Sequence, residues 1–253
     1  MVTFKTDKEI QVLRAGGKII AKVLRALVKA CKPGISAAQL DKLAEELILG
    51  HGARPAFKGY RPHGALKPFP GSICVSKNEV VVHGIPTSSL ILERGDVVSL
   101  DLGIVYKKFV TDAAVSIGIG RIAPKAQKLL KVTQAALEKA IKVCRAGNTV
   151  GDIGSTIERY VKSRGFFVIK ELVGHGVGYS IHEDPNVPNY GQPKSGQKLE
   201  PGMVLAIEPM VSIGVQGVFA REDGSFVTRD GNIAAHFEHT IAITKKGPIV
   251  LTK

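Results

Sequence analysis

Asp101 and Asp112 stand in the two arms of one β-branched stretch, DVVSLDLGIVYKKFVTDAAVSIGIG, residues 96–120. Residues 97–105 and 109–117 flank a short turn at 106–108, the pattern of a β-hairpin. With the turn centred on Tyr106 and Lys107, opposed residues have numbers that total 213, which places Asp101 directly opposite Asp112. Two carboxylates facing each other among Val, Leu and Ala destabilise a sheet unless something positive joins them. A divalent cation such as Mg or Mn suits those oxygens. A solvent-facing Asp, or a register slip that parts the pair, would remove the conflict without a metal.

Four more chemistry-bearing residues lie in apolar strand contexts. His175 is in VGHGVG, Glu208 in LAIEPM, and Glu238 and His239 in FEHTIAI. A lone His in a glycine-rich strand is ordinarily a hydrogen-bonded structural residue, and a lone strand Glu ordinarily faces solvent. Their conjunction changes the reading. Asp101, Asp112, Glu208, Glu238 and one of the two histidines form a set dominated by hard oxygen donors, able to hold two divalent cations with carboxylates between them. His83 in VVHGIP and His182 in IHEDP sit beside turns, free to act on a substrate.

These residues need elements to place them. Thr6-Asp7-Lys8-Glu9 is a capping box, and the helix it opens carries Ile10, Leu13, Gly17, Ile20, Leu24, Leu27 and Val28 at helical spacing. It stops near Lys32-Pro33-Gly34. Ser36-Ala37-Ala38-Gln39 opens a second helix that ends near Gly50. Residues 53–71 hold four prolines and read as a surface loop. Residues 72–85 read as a hairpin turning near Lys77-Asn78. Pro124 opens a long helix reaching about Arg145. More strands follow at 172–187, 203–213 and 235–244, while 214–231 reads as a loop or a twisted hairpin.

The chain also repeats itself. CKPGISAAQLDKLAEELILGHG begins at Cys31 and CRAGNTVGDIGSTIERYVKSRG at Cys144, an offset of 113. Gly34 then meets Gly147, Ser36 meets Thr149, and Leu40 meets Ile153. A duplicated unit of helices and strands would set two similar halves face to face around a cleft.

Composition excludes several classes. The 253 residues are 44% hydrophobic with 28 glycines, which fits a globular, turn-rich enzyme. No apolar run is long enough for a membrane helix. The opening MVTFKTDKEIQ lacks the apolar core of a signal peptide. Three cysteines without CxxC spacing suggest neither a disulfide framework nor a zinc knuckle, so a cytoplasmic protein is expected. The net charge is +13. Residues 1–60 hold eleven Lys/Arg against five acids, and 121–146 hold seven against one. Such faces attract polyanions.

VVVHGIP, the Asp101–Asp112 hairpin, GHGVGYSIHEDP, LAIEP and FEHTIAIT resemble, in that order, the motifs of the methionine aminopeptidases. The resemblance covers essentially the whole chain. It implies the α+β, duplicated pita-bread fold shared with prolidase, aminopeptidase P and creatinase. In that fold an antiparallel sheet is backed by helices, with pseudo-twofold symmetry between halves of about 1–120 and 121–253 in one catalytic domain spanning 1–253. It implies metal ligands at Asp101, Asp112, His175, Glu208 and Glu238, with Asp112 and Glu238 bridging two ions of Mn, Fe or Co. It implies catalytic roles for His83, His182 and Glu208, and a methionine pocket drawn from Tyr60, Phe69, Cys74 and Ile181, with Phe57 beside them. The implied reaction removes the initiator methionine from nascent polypeptides, favouring a small second residue. A monomer is expected, with weak ribosome association through the basic faces. The 33 residues from His175 to Glu208 leave no room for the long insertion of type II enzymes, and the chain begins almost at the first helix, which resembles type I. Two positions depart from that pattern: Val110, where a His is common, and Tyr179, where an Arg is common. The loop 61–71 is longer than the family's usual stretch. A metal-free binding protein on the same fold, and an RNA- or ribosome-binding protein, are the other classes these features allow.

Overall fold

The computed structural model describes residues 1–61 and 67–253. The middle of the proline-rich loop, 62–66, lies outside the described residues. Helix α1 (Asp7–Ala30) starts where the capping box places it. Thr6 accepts from the Glu9 N–H, and the Glu9 carboxylate accepts from the Thr6 N–H at 2.7 Å. Helix α2 (Ala37–Gly50) repeats the device with Ser36 and Gln39. Helix α3 (Pro124–Val143) has proline in its first turn, and α4 (Val150–Lys162) is boxed by Thr149 and Asp152.

Strands β1 (Arg54–Pro55), β2 (Cys74–Lys77) and β3 (Val80–Val82) precede the long hairpin of β4 (Val97–Tyr106) and β5 (Phe109–Gly118). β5 lies along one edge of β4, and β1 and β2 share the other. After α4 come β6 (Phe167–Val168), β7 (Val173–Gly176), β8 (Glu183–Pro188), β9 (Val204–Ile207) and β10 (Met210–Ser212). The chain closes with β11 (Val218–Ala220), β12 (Phe226–Thr228), β13 (Ala234–His236), β14 (His239–Thr244) and β15 (Gly247–Val250). The second large sheet runs β15-β14-β9-β7-β8, and two small ones run β13-β10-β6 and β11-β12-β3. All pairings described are antiparallel.

Each half buries one helix pair. Leu27, Leu40 and Ile48 pack with Leu100 and Leu102 under α1 and α2, and Leu129, Ile153 and Ile157 pack with Leu205 and Ile241 under α3 and α4. Each such side chain, fully buried, contributes roughly 1.5–3 kcal/mol. The repeat seen in sequence recurs in the hydrogen bonds. The Gly34 N–H donates to Leu92 O at 2.8 Å and the Gly147 N–H to Leu199 O at 2.9 Å. The Gly95 N–H donates to Ile119 O, and the Gly202 N–H to Ile243 O. The offset of this later stretch is 107, and under it Asp101 falls on Glu208.

Three strand readings change. The β4–β5 turn is centred on Lys107 and Lys108, both with left-handed φ (47° and 74°), so paired numbers total 215 rather than 213. Asp101 therefore opposes Ala114, and Asp112 opposes Gly103. A slip of two residues keeps the strand face, so the aspartates become diagonal neighbours on one side of the sheet. The chain does reverse near Asn78 and the Val75 N–H donates to Gly84 O across the turn at 2.9 Å, but β2 joins β4 while β3 joins β12, so the two arms of 72–85 belong to different sheets. Stretches 203–213 and 235–244 each break in two, the first where Pro209 cannot donate to a ladder, the second around Phe237-Glu238. Stretch 214–231 contains the hairpin β11–β12.

Candidate metal centre and active site

The two halves meet along β5. The Asp112 N–H donates to Thr240 Oγ1 at 2.9 Å, and that hydroxyl donates back to Asp112 O at 2.7 Å. The Glu238 N–H donates to Ala114 O at 2.9 Å, and Ser116 Oγ joins the His236 backbone through both its N–H and its carbonyl. These bonds set the break between β13 and β14 against the second aspartate. They explain why the chain leaves regular pairing at Glu238.

The structure brings all five expected ligands to this seam. Asp112, His175 and Glu238 each present a donor atom within 4.8 Å of the other two, and all three are buried. Asp101 lies within hydrogen-bonding reach of the Asp112 carboxyl. Glu208, at the end of β9, places Oε1 3.4 Å from His175 Nε2. The His175 ring is set by Nδ1, which lies 2.9 Å from Gly176 O. A proton on Nδ1 leaves Nε2 as a free donor toward the cluster. The glycines on either side allow close packing. A Cβ on Gly174 would stand 2.4 Å from Ala206 O, and one on Gly176 2.2 Å from Asp184 O.

Electrostatics make the cluster untenable on its own. Burial, then repulsion from Glu208, pushes Asp112 up to about 7, and burial pushes Glu208 up to about 7. Asp101 and Glu238 are raised further by burial and by their carboxylate neighbours. Among the described residues, Asp101 Oδ1, Asp112 Oδ1 and Glu238 Oε1 are buried without a hydrogen-bond partner. Buried acceptors are ordinarily satisfied. Four crowded carboxylates with orphaned oxygens and one oriented imidazole are the donor set of hard divalent cations.

The other candidate histidines divide into three kinds. His182 stacks edge-on against His175 at 4.5 Å between ring centres, and its Nδ1 lies 2.9 Å from the Tyr60 hydroxyl. His83 meets Phe226 edge-on at 5.6 Å. The residue is solvent-exposed, yet the protein crowded around its ring, with His236 nearby, pushes its pKa down to about 4. Its backbone is left-handed at φ 60°, a conformation that costs of order 1–3 kcal/mol for a non-glycine residue. His239, a candidate by sequence, lies on the other face of β14, with Nδ1 2.9 Å from Thr252 Oγ1. It takes no part in the cluster.

His236 was not among the sequence candidates, yet it is buried with Nε2 3.2 Å from Glu208 Oε2 and, among the described residues, without hydrogen-bond geometry at either ring nitrogen. Glu208 thus has an imidazole beside each oxygen. The available signal was strand alternation: His236 stands two residues before Glu238.

Phe57, Tyr60 and Ile181 share an apolar cluster beside the seam. The Phe69 N–H donates to Tyr60 O at 2.8 Å, and Phe57 and Phe69 meet edge-on at 6.3 Å. Cys74 opposes Asp101 across β2–β4 and is buried. The two departures also find places. Val110 is buried, its N–H donating to Gly178 O at 2.7 Å, and the Tyr179 hydroxyl donates to Glu9 Oε1 at 3.0 Å.

Residues 11–245 match metallopeptidase family M24. The chain is 46% identical over 253 residues to a methionine aminopeptidase of Clostridium acetobutylicum, covering 100% of this chain and 99% of that relative. It is 45% identical to methionine aminopeptidase 1 of Bacillus subtilis, covering 100% of each. The crystal structure of a Thermotoga maritima methionine aminopeptidase superposes with a TM-score of 0.96 at 45% identity, over 100% of both chains. A prolidase from Pyrococcus furiosus superposes at 0.78 with 25% identity, over 99% of this chain and 65% of its own.

Proposed function

The chain belongs to the methionine aminopeptidases of metallopeptidase family M24, α+β pita-bread hydrolases that remove N-terminal methionine, and from that membership we propose how its residues perform the reaction. We assign two divalent cations of the Mn, Fe or Co type to Asp101, Asp112, His175, Glu208 and Glu238, the residues that would hold them. The orphaned oxygens of Asp101, Asp112 and Glu238 around one buried seam carry this reading. When bound, such cations polarise the scissile carbonyl and lower the pKa of a water.

The chain's own residues do the rest. Glu208 moves a proton between the attacking water and the departing amine. His182, held through Nδ1 by Tyr60, presents Nε2 to the oxyanion of the transition state. His83, neutral at physiological pH, hydrogen-bonds the scissile peptide nitrogen. Phe57, Tyr60, Phe69, Cys74 and Ile181 enclose the unbranched thioether side chain. The work takes place in one catalytic domain, residues 1–253, acting as a cytoplasmic monomer on nascent chains.

A peptide panel with Mn or Co present tests the substrate. Met-Ala, Met-Gly and Met-Ser peptides are expected to be cleaved, and Met-Lys, Met-Leu and Leu-Ala slowly or not at all. Apolar fit discriminates by about 1–3 kcal/mol per methylene-scale change, so norleucine peptides should still turn over slowly. Faster release of other residues from Xaa-Pro peptides than of Met from Met-Ala would overturn the substrate assignment and leave the metal centre standing.

Nascent chains arrive on ribosomes, and two basic helix surfaces of the protein suit them. Lys8, Arg14, Lys18, Lys22, Arg25 and Lys29 are exposed along α1, and Lys125, Lys128, Lys131, Lys139 and Lys142 along α3. Ribosome pelleting is expected to weaken on the order of tenfold or more between 50 and 200 mM salt. Binding indifferent to salt would exclude these lysines and arginines as the contact.

A further inference from the structure

The segment ahead of α1 takes no part in the chemistry above, yet it holds one of the most buried charges in the molecule. The Lys5 side chain is 1% exposed, and its Nζ lies 2.5 Å from Glu183 Oε2; the Glu183 side chain is 6% exposed. Buried ion pairs are costly to assemble and are weak devices for stability alone. Glu183 is the residue after His182. Its second oxygen, Oε1, accepts from the N–H groups of Tyr179 and, at 2.8 Å, Ser180. One carboxylate thus closes the loop 178–182 that delivers His182 to the cleft.

Lys5 fixes that carboxylate from below. Its Nζ and Thr3 Oγ1 both reach Glu183 Oε2 and each other. Its Cε fills the space that a Cβ on Gly178 would take, at 2.3 Å. Its ammonium lies 5.0 Å from the centre of the Tyr179 ring, and its own N–H donates to Gly202 O at 2.8 Å, just ahead of β9. The lysine therefore ties the start of the chain to the loop of one site residue and to the strand that ends in another, Glu208. Tyr60 orients the imidazole of His182 from the cleft side, and Lys5 through Glu183 sets its backbone from the opposite side.

We propose that Lys5, acting through Glu183, is a positioning residue for His182 and that the N-terminal segment is a strap whose function is to hold that loop. The proposal rests on the role given to His182 above. It is tested on the metal-loaded enzyme by a double-mutant cycle with Met-Ala-Ser as substrate. Lys5→Met is expected to lower kcat about tenfold to a hundredfold, the scale of a misplaced reacting group. KM and metal affinity by calorimetry should stay unchanged, and Lys5→Arg should recover most of the rate. In the His182→Ala background Lys5→Met should cost nothing further. Glu183→Gln, which keeps an acceptor for the loop N–H groups, should show the same pattern and serves if Lys5→Met does not fold. Additive losses, weakened metal binding or an unchanged kcat in Lys5→Met would overturn the positioning role. A full kcat in His182→Ala alone would instead remove the premise.

Discussion

Asp112→Asn is expected to abolish turnover of Met-Ala peptides while leaving a folded protein. Asp112 sits at the middle of the cluster, next to Asp101 and within reach of His175 and Glu238. Asparagine keeps the shape and one acceptor oxygen, but loses the negative charge that a bridging position needs. Loss of an outer partner of a metal ligand typically weakens metal affinity 10–100-fold; loss of a central anionic donor should exceed that range for both ions. Stability should move the other way in the metal-free protein. The substitution removes one of four crowded carboxylates, so chelated Asp112→Asn should melt at or above chelated wild type. Calorimetric metal titration, a peptide assay and paired melting curves check the three parts. Retained activity with two ions bound would place the bridging carboxylate elsewhere.

Chelation should lower the melting temperature of the wild type, and by more as pH rises from 5 to 7.5. Asp112 and Glu208 are pushed up to about 7 by burial, above their unfolded values near 4. In the chelated protein these groups favour folding in acid, and that contribution disappears as pH rises through about 7. The loaded protein behaves oppositely, since cations take the ionised carboxylates and must displace protons at pH 5. His239, held at about 4 by burial away from the cluster, loses stability as pH falls from about 6.5 in either form, so it cancels from the difference. With metal at a thousand times its Kd, the gain is about 4 kcal/mol, or on the order of 10 °C for a chain of this size. The same melting temperature with and without chelator, at both pH values, would contradict a loaded centre.

What could be read from the sequence was whatever is fixed locally. The boxes at Thr6 and Ser36 lie within four residues of their partners, and α1 and α2 start where they direct. The five clustered donors stood out because each broke an apolar strand. The hairpin register did not follow, because it depends on which two residues take left-handed φ, and Lys107 and Lys108 carry no glycine or asparagine signal. The error of two preserved the face, so the conclusion that the aspartates act together survived an incorrect pairing. Sheet membership of β2 and β3 was hidden for a different reason: their partners are β4 and β12, and β12 lies some 140 residues beyond β3. His236 escaped because a histidine beside Glu238 and His239 in a crowded motif gives no sign of which way each ring turns.

The seam between β5 and the residues around Glu238 also bears on the order in which the protein matures. Asp112 and Thr240 are separated by 128 residues and Ser116 and His236 by 120. Contacts of such sequence separation form late in folding, after local helices and hairpins. During synthesis the first half can complete its own sheet and helix pair, with Asp101 and Asp112 already side by side, while three of the five donors are still unmade. On the ligand assignment proposed above, metal loading would be deferred until nearly the last strand has docked, and a chain interrupted earlier would gain neither metal nor the hydrolytic activity that depends on it.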